Sequence, residues 1–563
     1  MIRVAQKVVG IAGMPCALRV WGKGRVRARV ASWPPILSPL AAESVGDNEA
    51  ALAFDCLSVG SGRIELEVED AQQRLRVPVA ARVFTDKEFF VCLVQSSNVH
   101  VGWDPRPTAQ YFDGQLVTFD TEEGYHAFQH ARQVEGIFHG AGKPVTWLID
   151  ETVARENAPL FRDWHWRFGD DYALLPRSYF YQNKRNLNLQ MTAEAVTELL
   201  AALRAQSEAA FAAVGHPYRT RVAAADQWVG AVGSNFVLAA NALQLEGFWG
   251  IGYDHRECDT SMYHRGTPWD VYKPNPRNFR CPRAQGRLWC FQWTTRDILN
   301  TLAFSPNGST VFSTDPDDVR HNLIADFQPD YYLRLLREYQ RNMKWNDFFV
   351  FLLHQEDHDS HIEKSNDVLR TFIGQIQDDA SLTFGTLEEV SAWLNLKYGP
   401  NEHPRQVIEM QDPLTCRDLM REASRAGRVA PMFAENSEWG QYGTHLGYYG
   451  PDAMWIAREP EPVPAILYDY TKADIYPFAE DGEYPQERTP EIRGLRVEAG
   501  VGGAILHFDS SDAAENLPLV IWHPSEAVRA LLPAYVEADA AVVVRIPRVS
   551  AGKNVLELGA RKR

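Results

Sequence analysis

The chain has 563 residues, with 57 Lys and Arg against 73 Asp and Glu, for a formal net charge of -16 at pH 7. Hydrophobic residues make up 45% and charged residues 23%, ordinary globular usage that excludes a mainly disordered, collagen-like or coiled-coil chain. The acidic balance argues against a sequence-independent nucleic-acid binder, which needs a basic face, and the length points to three or four domains.

Arg3 and Lys7 precede a mildly apolar run over 8–18, which Gly10, Gly13 and Pro15 interrupt. No small-residue cleavage site follows, so a first strand is expected and not a signal peptide. No stretch approaches the roughly 20 apolar residues of a membrane span. The 7 cysteines are scattered, odd in number and without a CxxC pair. That points away from a disulfide framework and towards a reducing, cytoplasmic location.

Residues 1–112 alternate apolar and polar with period two, most clearly in Arg63-Ile64-Glu65-Leu66-Glu67-Val68 and Arg74-Leu75-Arg76-Val77-Pro78-Val79. This predicts an all-β, sandwich-like domain. Over 113–400 short apolar runs alternate with helical stretches. Strands are expected at 115–120, 144–150, 245–251 and 347–354, and helices at 127–135 and 192–213, the second capped by Thr192. Thr386-Leu387-Glu388-Glu389 reads as a capping box opening another helix. Alternating strands and helices mean a parallel sheet, and one distorted (β/α) barrel suits this length better than two open sheets. Residues 401–563 are predicted to form a β-rich C-terminal domain, sandwich-like as well, with strands near 492–508 and 541–546. The fold class is α/β.

In such a barrel the carboxyl ends of the strands surround the site. That rule selects Asp120 and Glu122, then Asp150 and Glu151, then Asp254, Glu257 and Asp259, then His354 and Glu356. Acid clusters leaving different strands can divide into general acid and base, or acid and nucleophile, as hydrolysis needs. The plainer alternative for any single acid is a solvated loop carboxylate. His354, His358 and His361 stand at i, i+4 and i+7. On a helix they would share one face and suit a divalent metal such as zinc, with His358 and His361 as ligands; the alternative is a polar loop. Trp147, Trp249 and Trp269 are candidates to stack on a sugar, and Arg265 and Arg296 to hold a polar group. Their alternative is burial that pins loops to the barrel. There is no GxGxxG after a strand, no GxxxxGK[ST] and no GxSxG elbow.

Leu116-Val117-Thr118-Phe119-Asp120-Thr121-Glu122 and then Gly142-Lys143-Pro144-Val145-Thr146-Trp147-Leu148-Ile149 resemble the opening of the polysaccharide deacetylase (NodB-like) barrel. Phe351-Leu352-Leu353-His354 resembles its late strand, and 382–389 its closing strand and helix, so the resemblance spans about 113–396. It implies Asp120 as general base and His354 as the assisting acid. Two departures stand out. Thr121 occupies the position of the family's metal-binding aspartate, and no HxxxH follows the second strand, where only His165 occurs. Related barrels in the superfamily include glycoside hydrolases that use two carboxylates. The leading expectation is therefore a carbohydrate-active hydrolase acting on an oligo- or polysaccharide, with a lean to glycosidic cleavage. A metal-dependent deacetylase and a non-catalytic glycan binder are the alternatives. A homo-oligomer is a further expectation.

Overall fold

A computed structural model describes residues 2–96, 109–112, 115–118, 135–175, 192–224, 233–249, 271–274, 276, 285–292, 294–295, 329–344, 346–355, 359–402, 404, 464–466, 492–501, 503–522, 525–533, 536–537 and 541–559. The period-two pattern of the N-terminal part becomes strands β1 (Arg3–Val4), β2 (Lys7–Ile11), β3 (Pro15–Ser32), β4 (Leu37–Pro39), β5 (Glu43–Cys56), β6 (Gly60–Glu69) and β7 (Arg74–Phe84). All seven belong to one sheet, ordered β2-β7-β6-β3-β5-β4 with β1 on β3, where the sequence suggested a sandwich of two. Leu18, Val20, Val26 and Ala28 of β3 and Ile64, Leu66 and Val68 of β6 are buried in a single apolar cluster, while Glu65 and Glu67 between them face outward.

The next strand, β8 (Glu88–Ser96), does not alternate. Phe89, Phe90, Val91, Cys92, Leu93 and Val94 are all buried, as expected of a parallel strand covered on both faces. After it come a two-stranded antiparallel hairpin of β9 (Ala109–Phe112) and β10 (Gln115–Thr118), then helix α1 (Glu135–Phe138), β11 (Thr146–Ile149), α2 (Glu151–Phe168), β12 (Asp171–Leu174), α3 (Ala193–Ala213), β13 (Val222–Ala224), α4 (Gly233–Ala242), β14 (Gly247–Trp249), β15 (Trp289–Phe291), α5 (Tyr331–Arg341), β16 (Phe348–Gln355), α6 (Asp359–Ile376), β17 (Thr383–Phe384) and α7 (Leu387–Tyr398). The parallel sheet runs β15-β14-β13-β12-β11-β8-β16, with β17 also on β8.

Two expectations change here. The strand expected at 115–120 is in part the second arm of a hairpin, and the parallel sheet includes β8, inside the stretch assigned to the N-terminal domain. The reason is pairing: β8 is long enough to hold β16 along one side and β17 and β11 in succession along the other.

The sheet is curled, a partial (β/α) barrel. Its two ends approach at one point, where Thr295 N–H donates to Leu352 O at 2.7 Å and Leu352 N–H donates to Thr295 Oγ1 at 2.7 Å. One face, with Val91, Trp147, Tyr172 and Phe351, is covered by α1, α2, α5 and α6. The other, with Phe90, Cys92, Leu148, Ala173, Trp249 and Val350, lines the inside of the curl. Leu387, Val390, Trp393 and Leu394 of α7 enter that inner cluster together with Val9, Ile11 and Phe84 of the N-terminal sheet, and so cover the inner face at the amino ends of its strands.

In the C-terminal part, β18 (Pro464–Ile466), β19 (Ile492–Gly500), β20 (Gly503–Ser510), β21 (Ala514–Trp522), α8 (Glu526–Leu531), β22 (Val536–Glu537), β23 (Ala541–Val549) and β24 (Gly552–Gly559) follow in order. The strands form two antiparallel sheets, β18-β21-β23-β22 and β19-β20-β24. Leu506 and Phe508 of one and Val542 and Val544 of the other share a buried cluster. Among the described residues no helix is long and apolar enough to cross a membrane. Cys16, Cys56 and Cys290 are buried free thiols.

Candidate functional site

The carboxyl ends of the parallel strands carry His354 on β16 and Trp249 on β14. The two strands are not neighbours in the sheet, yet the rings meet inside the curl with centroids 4.7 Å apart. Period two puts His354 on the same face as Phe348, Val350 and Leu352, which is the inner one. Both rings are enclosed: His354 is 0% and Trp249 1% exposed. They form a floor beneath the mouth, and Trp249 offers no open face there. Beside them Gln95 Nε2 donates to Gln355 O at 3.2 Å, and Thr294 Oγ1 donates to Leu352 O at 3.1 Å.

Other sequence candidates fall elsewhere. Trp147 lies on the helix-covered face, stacked on Trp164 at 4.8 Å, and its Nε1–H donates to Asp170 Oδ2 at 2.7 Å. It is a core residue there, not a stacking surface. Asp150 ends β11 as expected, but Oδ1 accepts from Thr152 N–H at 2.9 Å and Val153 N–H at 2.8 Å, the N-cap of α2. The three histidines do not share one helix: His354 is in a strand, and His361 is in the first turn of α6. A six-residue apolar run, Phe348 to Leu353, covered on both faces is a parallel strand before it is a helix. Asp120, Glu122, Asp254, Glu257, Asp259, Arg265, Trp269, Arg296, Glu356 and His358 lie outside the described residues.

Among the described residues the densest ionisable cluster sits at the opposite end, where the strands begin. Lys7 of β2 reaches Asp171 Oδ2 at 2.8 Å and Glu389 Oε1 at 3.2 Å. Thr386 Oγ1 donates to Asp171 Oδ2, and Arg82 Nη1 donates to Glu389 Oε2 at 2.7 Å. Glu388 accepts from Tyr218 Oη at 2.6 Å and from Arg221 at 3.0 and 2.6 Å. Burial works against the Lys7 ammonium, but Asp171 and Glu389 outweigh it and hold its pKa above the ordinary lysine value. Burial pushes Asp171 up to about 7; Lys7 offsets part of this and Glu388 and Glu389 add to it. Glu389 goes down despite burial, because Arg82 and Lys7 face it. Burial, with Lys7 adding, pulls His165 down to about 4, so the imidazole is neutral, and its Nδ1–H donates to Asp170 O at 2.8 Å.

Sequence reasoning took Glu388 and Glu389 only as a capping box, which they are, and gave Lys7 no part in a site. The partners of Lys7 are 164 and 382 residues along the chain, beyond any local signal. In a parallel barrel this end holds the fold together while chemistry occurs at the other. The cluster ties β2, β12 and α7 to one another.

The family resemblance implies a divalent metal. Among the described residues no group of three or more His, Cys, Asp or Glu side chains is arranged to hold one. Those residues do not fit a metal.

No family model and no curated protein matches the chain. Among solved structures, it is similar to an allantoinase with TM-score 0.36 and 10% identity, over 56% of this chain and 92% of that one. It is similar to the Xyl-CE4 domain of a multidomain xylanase from the hindgut metagenome of Trinervitermes trinervoides, with TM-score 0.25 and 11% identity over 56% and 94%. A putative alpha-galactosidase/melibiase from Bacteroides fragilis aligns with TM-score 0.25 and 10% identity over 99% and 98%. Similarities this distant carry no argument about reaction or substrate.

Proposed function

We propose that the chain is a carbohydrate-active hydrolase working at the carboxyl ends of the parallel strands, on an oligo- or polysaccharide, by glycosidic cleavage with paired carboxylates. The observation that carries the reading is the His354–Trp249 contact inside the curl, at 4.7 Å. It joins the ends of the two strands from which the sequence continues into Asp254, Glu257 and Asp259 on one side and Glu356 on the other. One carboxylic acid protonates the leaving glycosidic oxygen, and a second carboxylate attacks the anomeric carbon or activates the water that does. His354 and Trp249 at these strand ends supply a dry, rigid floor, which strengthens the electrostatics of charges brought near it. Asp120 and Glu122 are the further acids of the same reading. Arg265, Trp269 and Arg296 are its substrate contacts.

The test is a glycan panel scored for new reducing ends and for released acetate. Asp254→Asn and Glu257→Gln should each abolish the release of reducing ends without lowering the melting temperature. Full activity in both variants removes the carboxylate proposal. Acetate without new reducing ends favours the deacetylase reading, which draws on His354 at the end of its strand, with His358 and His361 as candidate metal ligands. Glycan binding with neither product marks a non-catalytic binder.

A further inference from the structure

Between the N-terminal sheet and the amino ends of β13, β14 and β15 lies a cleft of about 510 Å³. Its lining runs against the charge of the whole chain. Lys7, Arg19, Arg219, Arg221 and Arg287 all contribute, against one lining carboxylate, Glu246, in a protein of net charge -16. Three of these cations are committed elsewhere: Lys7 to Asp171 and Glu389, Arg221 to Glu388 and Glu246, and Arg19 to Glu49. Arg219 and Arg287 form no ion pair among the described residues. The Arg219 guanidinium lies over the Trp21 ring, 4.4 Å from its centroid. Trp21 is itself fixed by its Nε1–H, which donates to Glu49 Oε2 at 3.2 Å. Burial, with Arg204 nearby, pulls Arg219 down to about 10, so at neutral pH it stays a partly desolvated cation.

The rest of the wall mixes apolar side chains, Trp21 and Leu396 among them, with three amides. Asn241, Gln244 and Asn395 line the cleft; Asn241 Nδ2 donates to Val237 O at 2.8 Å, and Asn395 accepts from Trp289 Nε1–H at 2.9 Å and donates to Arg287 O at 3.0 Å, so each of these two amides keeps its second N–H for a ligand. Gln244 holds φ at 55°, the left-handed region that glycine fills without strain just after a helix. A glutamine kept there, with its side chain on the cleft, costs backbone stability that glycine would not. The volume falls in the range of a small organic ligand and far exceeds an inorganic ion. A guanidinium presents paired donors that match a carboxylate or a phosphate.

We propose that this cleft binds a small sugar carrying an oxyanion, with Arg219 and Arg287 on the anion and the amides of Asn241, Gln244 and Asn395 on the hydroxyls. The site is on the face opposite the barrel mouth and does not depend on the hydrolase reading. The anion's source is either a carboxylate or a phosphate, which the test separates.

Titration calorimetry on the full chain at low salt uses glucuronate, glucose 6-phosphate, glucose and inorganic phosphate. Saturable binding is expected for at least one charged sugar, and not for glucose. Glucuronate alone identifies a carboxylate, glucose 6-phosphate alone a phosphate. Arg219→Gln and Arg287→Gln should each weaken binding by about tenfold or more, while Arg370→Gln on the exposed side of α6 leaves it unchanged. Gln244→Gly should weaken binding while keeping or raising the unfolding midpoint, a combination that a purely structural role does not give. The proposal falls if neither charged sugar binds at up to about 10 mM, or if glucose binds equally well. It also falls if inorganic phosphate matches the charged sugars, or if both arginine variants bind like the parent.

Discussion

Lys7 is buried between two carboxylates, at 2.8 and 3.2 Å, with its side chain 2% exposed. Removing one partner from such a set leaves charge with nothing to compensate it, which costs far more than an exposed ion pair is worth. Lys7→Met is expected to lower stability by roughly 3–5 kcal/mol, measured by urea unfolding followed through tryptophan fluorescence; a change within error means that the cluster is not what joins the parts. The same cluster sets the pH response. His165 is depressed from 6.5 to about 4. The stability it contributes is therefore present above pH 6.5 and lost as pH falls through 4, because the unfolded imidazole takes up a proton that the folded one refuses. Asp171 is raised from 3.8 to about 7, and its contribution has the opposite sign: present below 3.8, lost as pH rises through 7. In His165→Gln the acid-side loss between pH 6.5 and 4 should shrink by about 3 kcal/mol. In Asp171→Asn the decline on the way up to pH 7 should disappear. Unfolding curves at fixed pH values that overlay the parent's in both variants would refute the assignment.

At the scale of elements, α7 decides how the inside of the curled sheet is filled. Its start is fixed by Thr386, which accepts from Glu389 N–H while the Glu389 side chain accepts from Thr386 N–H. Leu387 N–H then donates to Thr146 Oγ1 at 3.0 Å, tying the first turn of the helix to the start of β11. Gly247 at the start of β14 lets the helix come close. A Cβ there would lie 2.7 Å from Ser391 Oγ, 3.0 Å from Val222 Cγ2 and 3.1 Å from Phe291 Cε2. Gly247→Ala is therefore expected to cost about 1–3 kcal/mol through overpacking. Adding Ser391→Ala, which removes the nearest atom, should recover part of that loss. Additive losses in a thermal melt of the double variant would show that helix and strand do not meet in this way.

For the whole molecule, the N-terminal sheet is not an appendage. Val9, Ile11 and Phe84 share an apolar cluster with Leu387, Trp393 and Leu394 and with the inner faces of β8, β13 and β14. Lys7 and Arg82 bring charges that Asp171 and Glu389 need. A chain lacking residues 1–84 should bind a hydrophobic dye strongly and lose cooperative melting, since it would expose that cluster and strand two buried carboxylates. Sharp melting of the truncated protein would mean that the two parts fold separately. The same junction creates the basic cleft, because Trp21 comes from one side of it and Arg219 and Arg287 from the other.

Local chemistry alone determined a good part of this protein. The N-terminal strands follow from alternation, α3 from Thr192 and its apolar face, α7 from its capping box, and β16 from an unbroken apolar run, because each pattern is complete within a dozen neighbouring residues. The parallel sheet and the position of His354 at the end of its late strand were legible for the same reason. Tertiary structure decided the rest. Only pairing with β16, β11 and β17 makes β8 part of the parallel sheet and not of the N-terminal one. The strands β12, β13 and β15 are 3 or 4 residues long, too short to show a period. Trp147 and Trp249 are equally aromatic, each in a short apolar run; the face each occupies, one under helices and one inside the curl, depends on the register of the sheet. Lys7 finds Asp171 and Glu389 only after the chain has closed over hundreds of residues, and that meeting of opposite charges away from water is information that no local window holds.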